Sequence, residues 1–363
     1  MKKKFNLAIF FLTFGLTWFG VLMVYNASAV EAYRNFGDRY FYLKSQAVWA
    51  VVGLGLTLFI SRIKYSFFKK TGLIWLLISW LLLILVLFLA PEIQGAKRWL
   101  SVGGFFSLQP SELVKLTFII YLASWLSARK RPFSNFLLLV GLTCGLVILE
   151  PDLGTALVIG VVAFAVYYVS GAPLLKFFAV TCLGIITVAG LILISPYRRQ
   201  RLLTFFDPTQ DPLGSSYHIR QALIALGSGG FWGVGLGQSR QKYSYLPEVA
   251  TDSIFAIIAE EIGFSGSVVL LGLMGFLVYQ LFTVAWQAPD RFARLLTTGI
   301  ATWLGFQIFF NLAAMVALVP LTGIPLPLIS YGGSSLLINL IAIGIVLNIS
   351  RYTQPRIIKR RKV

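Results

Sequence analysis

Long apolar runs separated by short polar links dominate the sequence. An α-helix needs about 20 mostly apolar residues to cross a hydrocarbon core ~30 Å thick. Ten runs are suited to this role, so the pattern predicts ten transmembrane helices in a single all-α, polytopic membrane domain over residues 1–363. The predicted spans are residues 6–28, 44–61, 71–90, 111–127, 134–149, 153–170, 174–195, 262–285, 293–318 and 332–350.

The composition agrees with a membrane protein. Hydrophobic residues make up 58% of the chain and charged residues only 12%, and the mean hydropathy is +0.82. A water-soluble fold of 363 residues could not bury that much apolar surface. The first apolar run is too long for a signal peptide and lacks a small-residue cleavage site, so we interpret it as a retained helix.

The basic residues are unevenly distributed among the links. An even number of spans places both termini on one side of the membrane. If that side is cytoplasmic, it holds 19 of the 31 basic residues, which satisfies the positive-inside rule, but only one of the 13 acids, Asp290. The net charge of +18 is then explained by basic links, and a basic tail at 351–363, that meet anionic lipid headgroups. No nucleic-acid-binding motif is present in the sequence.

The sequence excludes several kinds of metal and cofactor site. Cys144 and Cys182 lie inside apolar spans, so a disulfide framework is not indicated. His218 is the only histidine, which excludes a His-rich zinc or iron site. A bound metal would have to be a hard, oxygen-ligated cation such as Mg²⁺. No organic cofactor is predicted.

One polar stretch, residues 196–261, is long enough to build a site. The topology makes it a large extracytoplasmic loop between the seventh and eighth spans. It contains Arg199, Arg201, a glycine-rich segment at 227–237 and Asp252. A site on that side excludes cytosolic nucleotide substrates and favours a lipid-linked one.

Two segments rich in glycine or proline need close packing against protein. The first, at 227–237, does not predict nucleotide binding, because a phosphate-binding glycine loop belongs to a βαβ unit that this chain does not supply. We expect a flexible or closely packed re-entrant segment there. The second, at 319–335, has three prolines, three glycines and no charge, so it must line protein or a water-filled cavity rather than face lipid.

Several charged residues fall near membrane depth, where each has a structural and a functional interpretation. Glu112 and Lys115 share one helical face and form either an ion pair that only holds helices together or the charged wall of a cavity. Asp152 either caps the sixth span or shapes such a cavity. Lys97 and Arg98 either anchor the chain at lipid headgroups or bind a pyrophosphate.

Asp252 stands at the start of the eighth span, with Glu260 and Glu261 about two turns later. One interpretation is a helix cap or a first-turn acid. The other is chemical, because several carboxylates near a low-dielectric boundary can hold a divalent cation or raise one another's pKa. A general base near neutral pH would then be available.

Six motifs occur in order along nearly the whole chain. They are Leu108-Gln-Pro-Ser-Glu-Leu-Val-Lys115, Pro151-Asp-Leu-Gly-Thr155, Asp207-Pro-x-x-Asp-Pro212, Ile224-Ala-Leu-Gly-Ser-Gly-Gly230, Tyr245-Leu-Pro-Glu248 with Thr251-Asp252, and Thr322-Gly-Ile-Pro-Leu-Pro-Leu-Ile-Ser-Tyr-Gly-Gly-Ser-Ser335. Together they resemble the motifs of the bacterial SEDS family, the shape, elongation, division and sporulation proteins. The last motif alone is highly specific.

The resemblance implies a ten-helix peptidoglycan glycosyltransferase that polymerises lipid II at the outer face of the cytoplasmic membrane. Asp252 matches the family's essential aspartate, which implies a general base or a ligand of Mg²⁺ or Mn²⁺. The departing pyrophosphate needs cations, and the cavity needs a polar wall. The further residues expected at the substrate are Arg98, Glu112, Lys115, Asp152, Arg199, Arg201 and Ser330.

The resemblance also implies partners. A class B penicillin-binding protein would supply the transpeptidase, and the eighth and ninth spans and the outer loop are its expected docking faces. Other membrane proteins of the division or elongation machinery are expected as well. The segment from Gln241 to Glu248 looks more like the division and sporulation branch than the elongation branch.

Three residues depart from the family pattern. Ala317 stands where Gly or Thr is frequent, which we interpret as a packing change. Glu150 replaces a common Gln, and Ser253 replaces the usual Phe after the Thr-Asp pair, so the charge or shape of the site is altered there.

Two other functions compete with the enzyme. The first is a lipid II flippase or secondary transporter, which the one-sided clustering of the acids and the lack of an inverted repeat argue against. The second is a non-catalytic scaffold of the wall-synthesis complex, for which Asp252 would be dispensable.

Overall fold

The computed structural model describes residues 5–92, 96–102, 106–128, 132–173, 215–242, 249–320 and 323–353, with scattered positions between 174 and 214. Helices make up most of this part of the chain. They are α1 (Leu7–Phe36), α2 (Phe41–Ile60), α3 (Ser66–Leu89), α4 (Pro110–Ala128), α5 (Phe133–Leu149), α6 (Leu153–Val169), α7 (Ser215–Ser228), α8 (Ile254–Trp286), α9 (Arg291–Met315) and α10 (Gly333–Ser350).

The helices agree with most of the predicted spans. Within the described residues, seven are long and apolar enough to cross a membrane, namely α1 to α4 and α8 to α10. Helices α5 and α6 also coincide with predicted spans but have 17 residues each, a length of about 26 Å. The seventh predicted span, 174–195, lies largely outside the described residues.

The prediction of an all-α fold needs one small correction. Strands β1 (Leu100–Val102) and β2 (Phe106–Leu108) form an antiparallel hairpin between α3 and α4, with Ser101 opposite Ser107. Both strands alternate apolar and polar residues, which is the period of a strand. Each is three residues long, too short to register against the long apolar runs on either side.

The first and the last described residues lie at the same end of the helix bundle. The backbone N–H of Asn6 donates to Ser350 Oγ at 3.0 Å, and the guanidinium of Arg351 lies 5.4 Å from the ring centroid of Phe5. The Asn6 side chain also caps α1 by accepting from the N–H groups of Ala8 and Ile9. This contact agrees with an even number of spans, which requires both termini on one side of the membrane, while their cytoplasmic placement stays a prediction.

Small residues bring the interior helices close together. Thr57 Oγ1 in α2 donates to the carbonyl oxygen of Leu340 in α10 at 2.9 Å. A Cβ added to Gly344 would lie 2.9 Å from the carbonyl oxygen of Thr57, so glycine permits this approach of two backbones. Most side chains of α4, α9 and α10 are buried, whereas α3 and α8 expose long apolar faces.

Helix α8 begins earlier than the sequence predicts and is broken near its start. The predicted span starts at residue 262, but the helix starts at Ile254 and its backbone turns at Gly263, with φ +69° and ψ −171°. The two acids Glu260 and Glu261 interrupt the apolar run, so the pattern places the boundary after them. Residues 254–261 are buried inside the protein, and this short buried segment follows directly after Asp252.

Candidate active site

The loop that carries Asp252 is held by side chains and backbone from distant elements. Ser330 Oγ donates to the carbonyl oxygen of Thr251 at 2.6 Å, and the N–H of Tyr331 donates to that of Ala250 at 2.8 Å. From α9, Asn311 Nδ2 donates to the carbonyl oxygen of Asp252 at 2.9 Å. The backbone on both sides of the candidate catalytic residue is therefore fixed.

The Asp252 side chain is partly buried and does not cap α8. The N-cap position belongs to Ser253, which makes no capping hydrogen bond through its side chain. Asp252 instead lies beside Gly323, where an added Cβ would be 3.4 Å from Asp252 Oδ2. Gly323 has φ +75°, a conformation that favours glycine. The helix-cap interpretation of Asp252 is thus not supported.

The only histidine of the sequence lies next to this loop. His218 Nε2, on α7, is 2.5 Å from Ser253 Oγ. The pair ties the helix within the 196–261 stretch to the residue after Asp252. Ser253 is a departure from the family pattern, so this contact belongs to the present chain rather than to the motif.

Ser330 lies inside the protein and organises the loop at 323–332. Its hydroxyl accepts from the N–H of Leu326 at 2.8 Å and donates to Thr251. Its own carbonyl oxygen accepts from Gln46 Nε2 at 3.2 Å. Ile324, Leu326 and other apolar residues of this loop are buried, so the prediction that the segment lines protein is confirmed for its described part.

Glu112 and Lys115 form the ion pair that their spacing predicts. Lys115 Nζ lies 2.7 Å from Glu112 Oε1, and both side chains are almost completely buried, at 1% and 3% exposure. The ammonium also lies 5.2 Å from the ring centroid of Trp303 on α9, a favourable cation–π distance. In this structure the pair is enclosed in protein.

Asp152 and Arg98 meet at the link between α5 and α6. Asp152 Oδ1 accepts from the N–H of Thr155 at 2.9 Å and so caps α6, while Oδ2 accepts from Ser111 Oγ at 3.3 Å. Arg98 donates through Nε to the carbonyl oxygen of Glu150 at 2.9 Å, and through a second nitrogen to that of Pro151. Arg98 thus fixes the outer loop to this link.

The remaining predicted phosphate ligands lie in the sparsely described part of the loop. Arg199 is exposed. Arg201 lies outside the described residues. A substrate role for either arginine stays a prediction.

The glycine-rich segment packs tightly against the break in α8. The N–H groups of Val234 and Gly235 donate to the carbonyl oxygens of Glu260 and Glu261, at 3.0 and 3.1 Å. A Cβ on Gly233 would lie 2.2 Å from the latter oxygen. Of the two predicted forms of this segment, the closely packed one is observed.

The carboxylates of Glu260 and Glu261 are buried within the same contact. Glu261 accepts from Asn26 Nδ2, and Lys242 Nζ lies 3.4 Å from its Oε1. Glu260 accepts from Ser239 Oγ and from the backbone N–H of residue 240. Each acid therefore already has hydrogen-bond partners within this contact.

Sequence reasoning missed several polar residues that organise this end of the bundle. Four of these are Asn311, Gln46, Asn26 and Lys242, and each makes a hydrogen bond to a residue far away in the sequence. A signal was present for three of them, because polar side chains within apolar spans are costly and need a partner. Lys242 carried no such signal, since it lies in a polar loop.

Comparison with known proteins identifies a family whose members match this chain over nearly its full length. Residues 7–355 match the family described as cell cycle protein, FtsW/RodA/SpoVE. The stage V sporulation protein E of Bacillus subtilis is 38% identical, covering 97% of this chain and 99% of its own. A probable peptidoglycan glycosyltransferase FtsW of Coxiella burnetii is 40% identical, and the alignment covers 98% of this chain and 100% of that protein.

The fold is also that of a solved structure. A chain from the work described as "Structural coordination of polymerization and crosslinking by a peptidoglycan synthase complex" superposes with a TM-score of 0.78 at 32% identity, covering 96% of this chain and 99% of that one. The family match spans far more than half of the sequence. The chain therefore belongs to the FtsW/RodA/SpoVE family of bacterial cell cycle proteins, as a multi-pass protein of the cytoplasmic membrane.

Proposed function

We propose that this protein is a peptidoglycan glycosyltransferase that polymerises lipid II at the outer face of the cytoplasmic membrane, for cell division or cell-shape maintenance. The observation that carries the proposal is the Asp252 carboxylate, which is partly buried, does not cap α8 and stands on a loop fixed by hydrogen bonds from Asn311 and Ser330. The names of the relatives support the reaction class.

The reaction needs a base because its nucleophile is a poorly acidic alcohol. The 4-hydroxyl of the acceptor GlcNAc attacks the anomeric carbon of the donor MurNAc, and the bond from that carbon to undecaprenyl pyrophosphate breaks. We assign the hydroxyl proton to Asp252. A partly buried carboxylate that is held in place beside the hydroxyl can accept this proton.

The leaving group is an anion and needs positive charge. We propose Arg98, with Arg199 or Arg201, to bind the pyrophosphate, and Lys115 to act from the buried pair with Glu112. In the resting arrangement Arg98 donates to backbone carbonyls, and Lys115 is enclosed. Substrate binding would thus have to draw either cation toward the phosphates. Ser330 and Asp152 would position the loop and the cavity wall.

A divalent cation fits this site only in part. The described residues contain no cluster of three or more His, Cys, Asp or Glu side chains. Mg²⁺ is commonly bound by one or two carboxylates together with substrate phosphates and water. Asp252 would supply the carboxylate, and the bound ion would neutralise charge on the pyrophosphate.

A transpeptidase partner follows from the same family relationship. A class B penicillin-binding protein is the partner we propose, with α8 and α9 as docking faces. Within the described residues α8 exposes a row of large apolar side chains, including Phe264, Val269 and Tyr279. That face suits either lipid or a single transmembrane helix.

A polymerisation assay tests the function directly. Purified protein, with and without the penicillin-binding partner, would receive labelled lipid II with Mg²⁺, Mn²⁺ or a chelator, and the glycan products would be resolved on a gel. Asp252→Ala and Asp252→Asn are the test variants. Asp38→Asn is the matched control, because Asp38 is a solvent-accessible aspartate whose partners are Lys44 and the N–H of Tyr40.

We expect long glycan chains from the wild type and from Asp38→Asn, and none from either Asp252 variant with folding and partner binding retained. Unchanged polymerisation by the Asp252 variants would contradict the assignment of Asp252 as the catalytic base. Lipid II movement across vesicles without any polymer would favour a flippase. A wild type that never polymerises, with Asp252→Ala supporting normal growth in cells, would favour a scaffold.

A further inference from the structure

A polar cleft lies at the other end of the bundle, between the end of α6 and the start of α9. Its volume is about 430 Å³, and its polar lining comes from Ser170, Asp290, Arg291 and Arg294. The two arginines are three residues apart on α9, so they share one face of the helix. None of these residues belongs to the site around Asp252.

The guanidinium groups in this cleft have unused donors. Arg294 is half-buried, and its Nε has no hydrogen-bond partner among the described residues. Among the described residues, the Arg291 side chain donates to the carbonyl oxygen of Ser170 at 2.9 Å. A shielded arginine donor without an acceptor is costly, so the cleft favours a bound anion.

The one acid in the lining forms no ion pair with these arginines among the described residues. Asp290 Oδ1 accepts from the N–H of Ala293 at 2.9 Å, and Oδ2 accepts from Tyr65 Oη at 2.6 Å. Both oxygens are thus occupied, one by capping α9 and one by joining α9 to the start of α3. The exposed guanidinium of Arg291 can therefore meet a ligand in the cleft, beside the half-buried Arg294.

The cleft faces the side of the membrane opposite Asp252. Arg291 begins α9, and Asn311, which binds the backbone of Asp252, lies near its other end. Twenty helical residues span about 30 Å, which equals the thickness of a hydrocarbon core. With Asp252 outside, the arginines lie at the level of the inner-leaflet headgroups.

We propose that this cleft binds a phosphate-bearing anion, held by the guanidinium groups of Arg291 and Arg294. Planar guanidinium donors match phosphate oxygens and form strong charge-assisted hydrogen bonds. The phosphate can belong to the headgroup of an anionic phospholipid of the inner leaflet or to a free phosphate. The position beside the membrane favours the lipid.

Lipid binding to the purified full chain tests the proposal without any substrate. Delipidated protein in detergent would be titrated with phosphatidylglycerol, phosphatidylcholine or inorganic phosphate, and the bound molecules counted by native mass spectrometry. The variants are Arg294→Gln, Arg291→Gln and Arg294→Lys. Arg62→Gln is the control, because Arg62 is an exposed basic residue at the same end of the bundle and donates only to its own helix.

We expect one phosphatidylglycerol to bind more tightly than phosphatidylcholine, and Arg294→Gln to weaken it about tenfold or more, as loss of a charge-assisted hydrogen bond implies. If Arg294→Gln does not fold, Arg294→Lys takes its place, and we expect it to bind phosphatidylglycerol more weakly than the wild type does. Binding of inorganic phosphate without any preference for phosphatidylglycerol would support the anion site and assign it to a free phosphate. Equal binding of both lipids, or an equal loss in Arg62→Gln, would overturn the proposal.

Discussion

The buried carboxyl group of Glu150 shows how the environment of one residue alters the meaning of a sequence difference. It lies in the link between α5 and α6, and neither oxygen has a hydrogen-bond partner in the described part of the chain. Burial raises the pKa of Glu150 to about 9; the nearby Asp152 adds to this rise and Arg98 opposes it. A protonated Glu150 is neutral, like the Gln common in the family at this position.

Replacing Glu150 with Gln should therefore stabilise the protein increasingly as the pH rises. Between the ordinary pKa of a glutamate and about 9, the unfolded chain has released this proton while the folded chain keeps it. Raising the pH through that window lowers the free energy of unfolding of the wild type, but glutamine has no proton to lose. Thermal unfolding in detergent at pH 5, 7 and 9 would measure the difference.

The exposed Glu92 provides the control for this measurement. Glu92→Gln removes a carboxyl that stays in water, so its unfolding curve should follow that of the wild type at each pH. A gap between Glu150→Gln and wild type that stays constant from pH 5 to 9 would contradict a protonated Glu150. At neutral pH we expect Glu150→Gln to polymerise lipid II at the wild-type rate.

At the scale of elements, the important contact is the one between the glycine-rich segment and the break in α8. The N–H groups of Phe264 and Ser265 donate to the carbonyl oxygens of Gly230 and Phe231, at 2.9 and 3.1 Å. The break at Gly263 frees backbone groups that an unbroken helix would pair internally, and the segment supplies their partners. The two pieces of chain therefore depend on each other.

Gly233→Ala should damage this contact far more than Gly230→Ala. Both glycines have positive φ, +85° and +54°, so alanine costs roughly 1–2 kcal/mol of backbone strain at either position. Only at Gly233 would the new Cβ also clash with backbone, 2.2 Å from the carbonyl oxygen of Glu261. At Gly230 it would meet no described atom within 4 Å.

Apparent melting temperature and lipid II polymerisation would be measured for the two glycine variants in parallel. We expect Gly230→Ala to lower the melting temperature slightly and to keep activity. Gly233→Ala should lose both stability and polymerisation. Equal effects would mean that strain alone matters and that the close packing of the segment contributes little.

At the scale of the whole molecule, Asn311 joins three regions that are separate in the sequence. Its Nδ2 donates to the carbonyl oxygens of Asp252 and Ile324, both at 2.9 Å. The helix α9 that carries it runs from the arginine cleft to this loop. One amide thus connects the position of the candidate base to the packing of the bundle.

Asn311→Leu should reduce polymerisation strongly while the protein still folds and binds its partner. The substitution keeps the branched shape of the side chain but removes the donor, and a buried carbonyl oxygen left without a donor costs roughly 1–3 kcal/mol. Asn339→Leu is the matched control, because Asn339 is equally buried but makes only a 3.5 Å contact within its own helix. Similar activities of the two variants would argue against a positioning role for Asn311.

The sequence by itself determined the membrane class, most of the helices and the motifs of the family. Hydropathy is a sum over neighbouring residues, so long apolar runs predict spans without knowledge of their packing. The Glu112–Lys115 pair was predictable for a similar reason, since a spacing of three residues places both side chains on one face of a helix.

Only the tertiary structure decided which polar groups share a site. Asn26 and Glu261 are 235 residues apart, and Asp252 and Asn311 are 59 apart. Their pairing depends on how helices pack, which no local pattern encodes. The fold directs Glu260 and Glu261 into a buried cluster, leaves Asp252 beside Gly323 and opens a cleft around Arg294. The sequence shows the same residue type for a carboxylate in water and for one in a hydrogen-bonded cluster, although the two differ in their partners and their solvation.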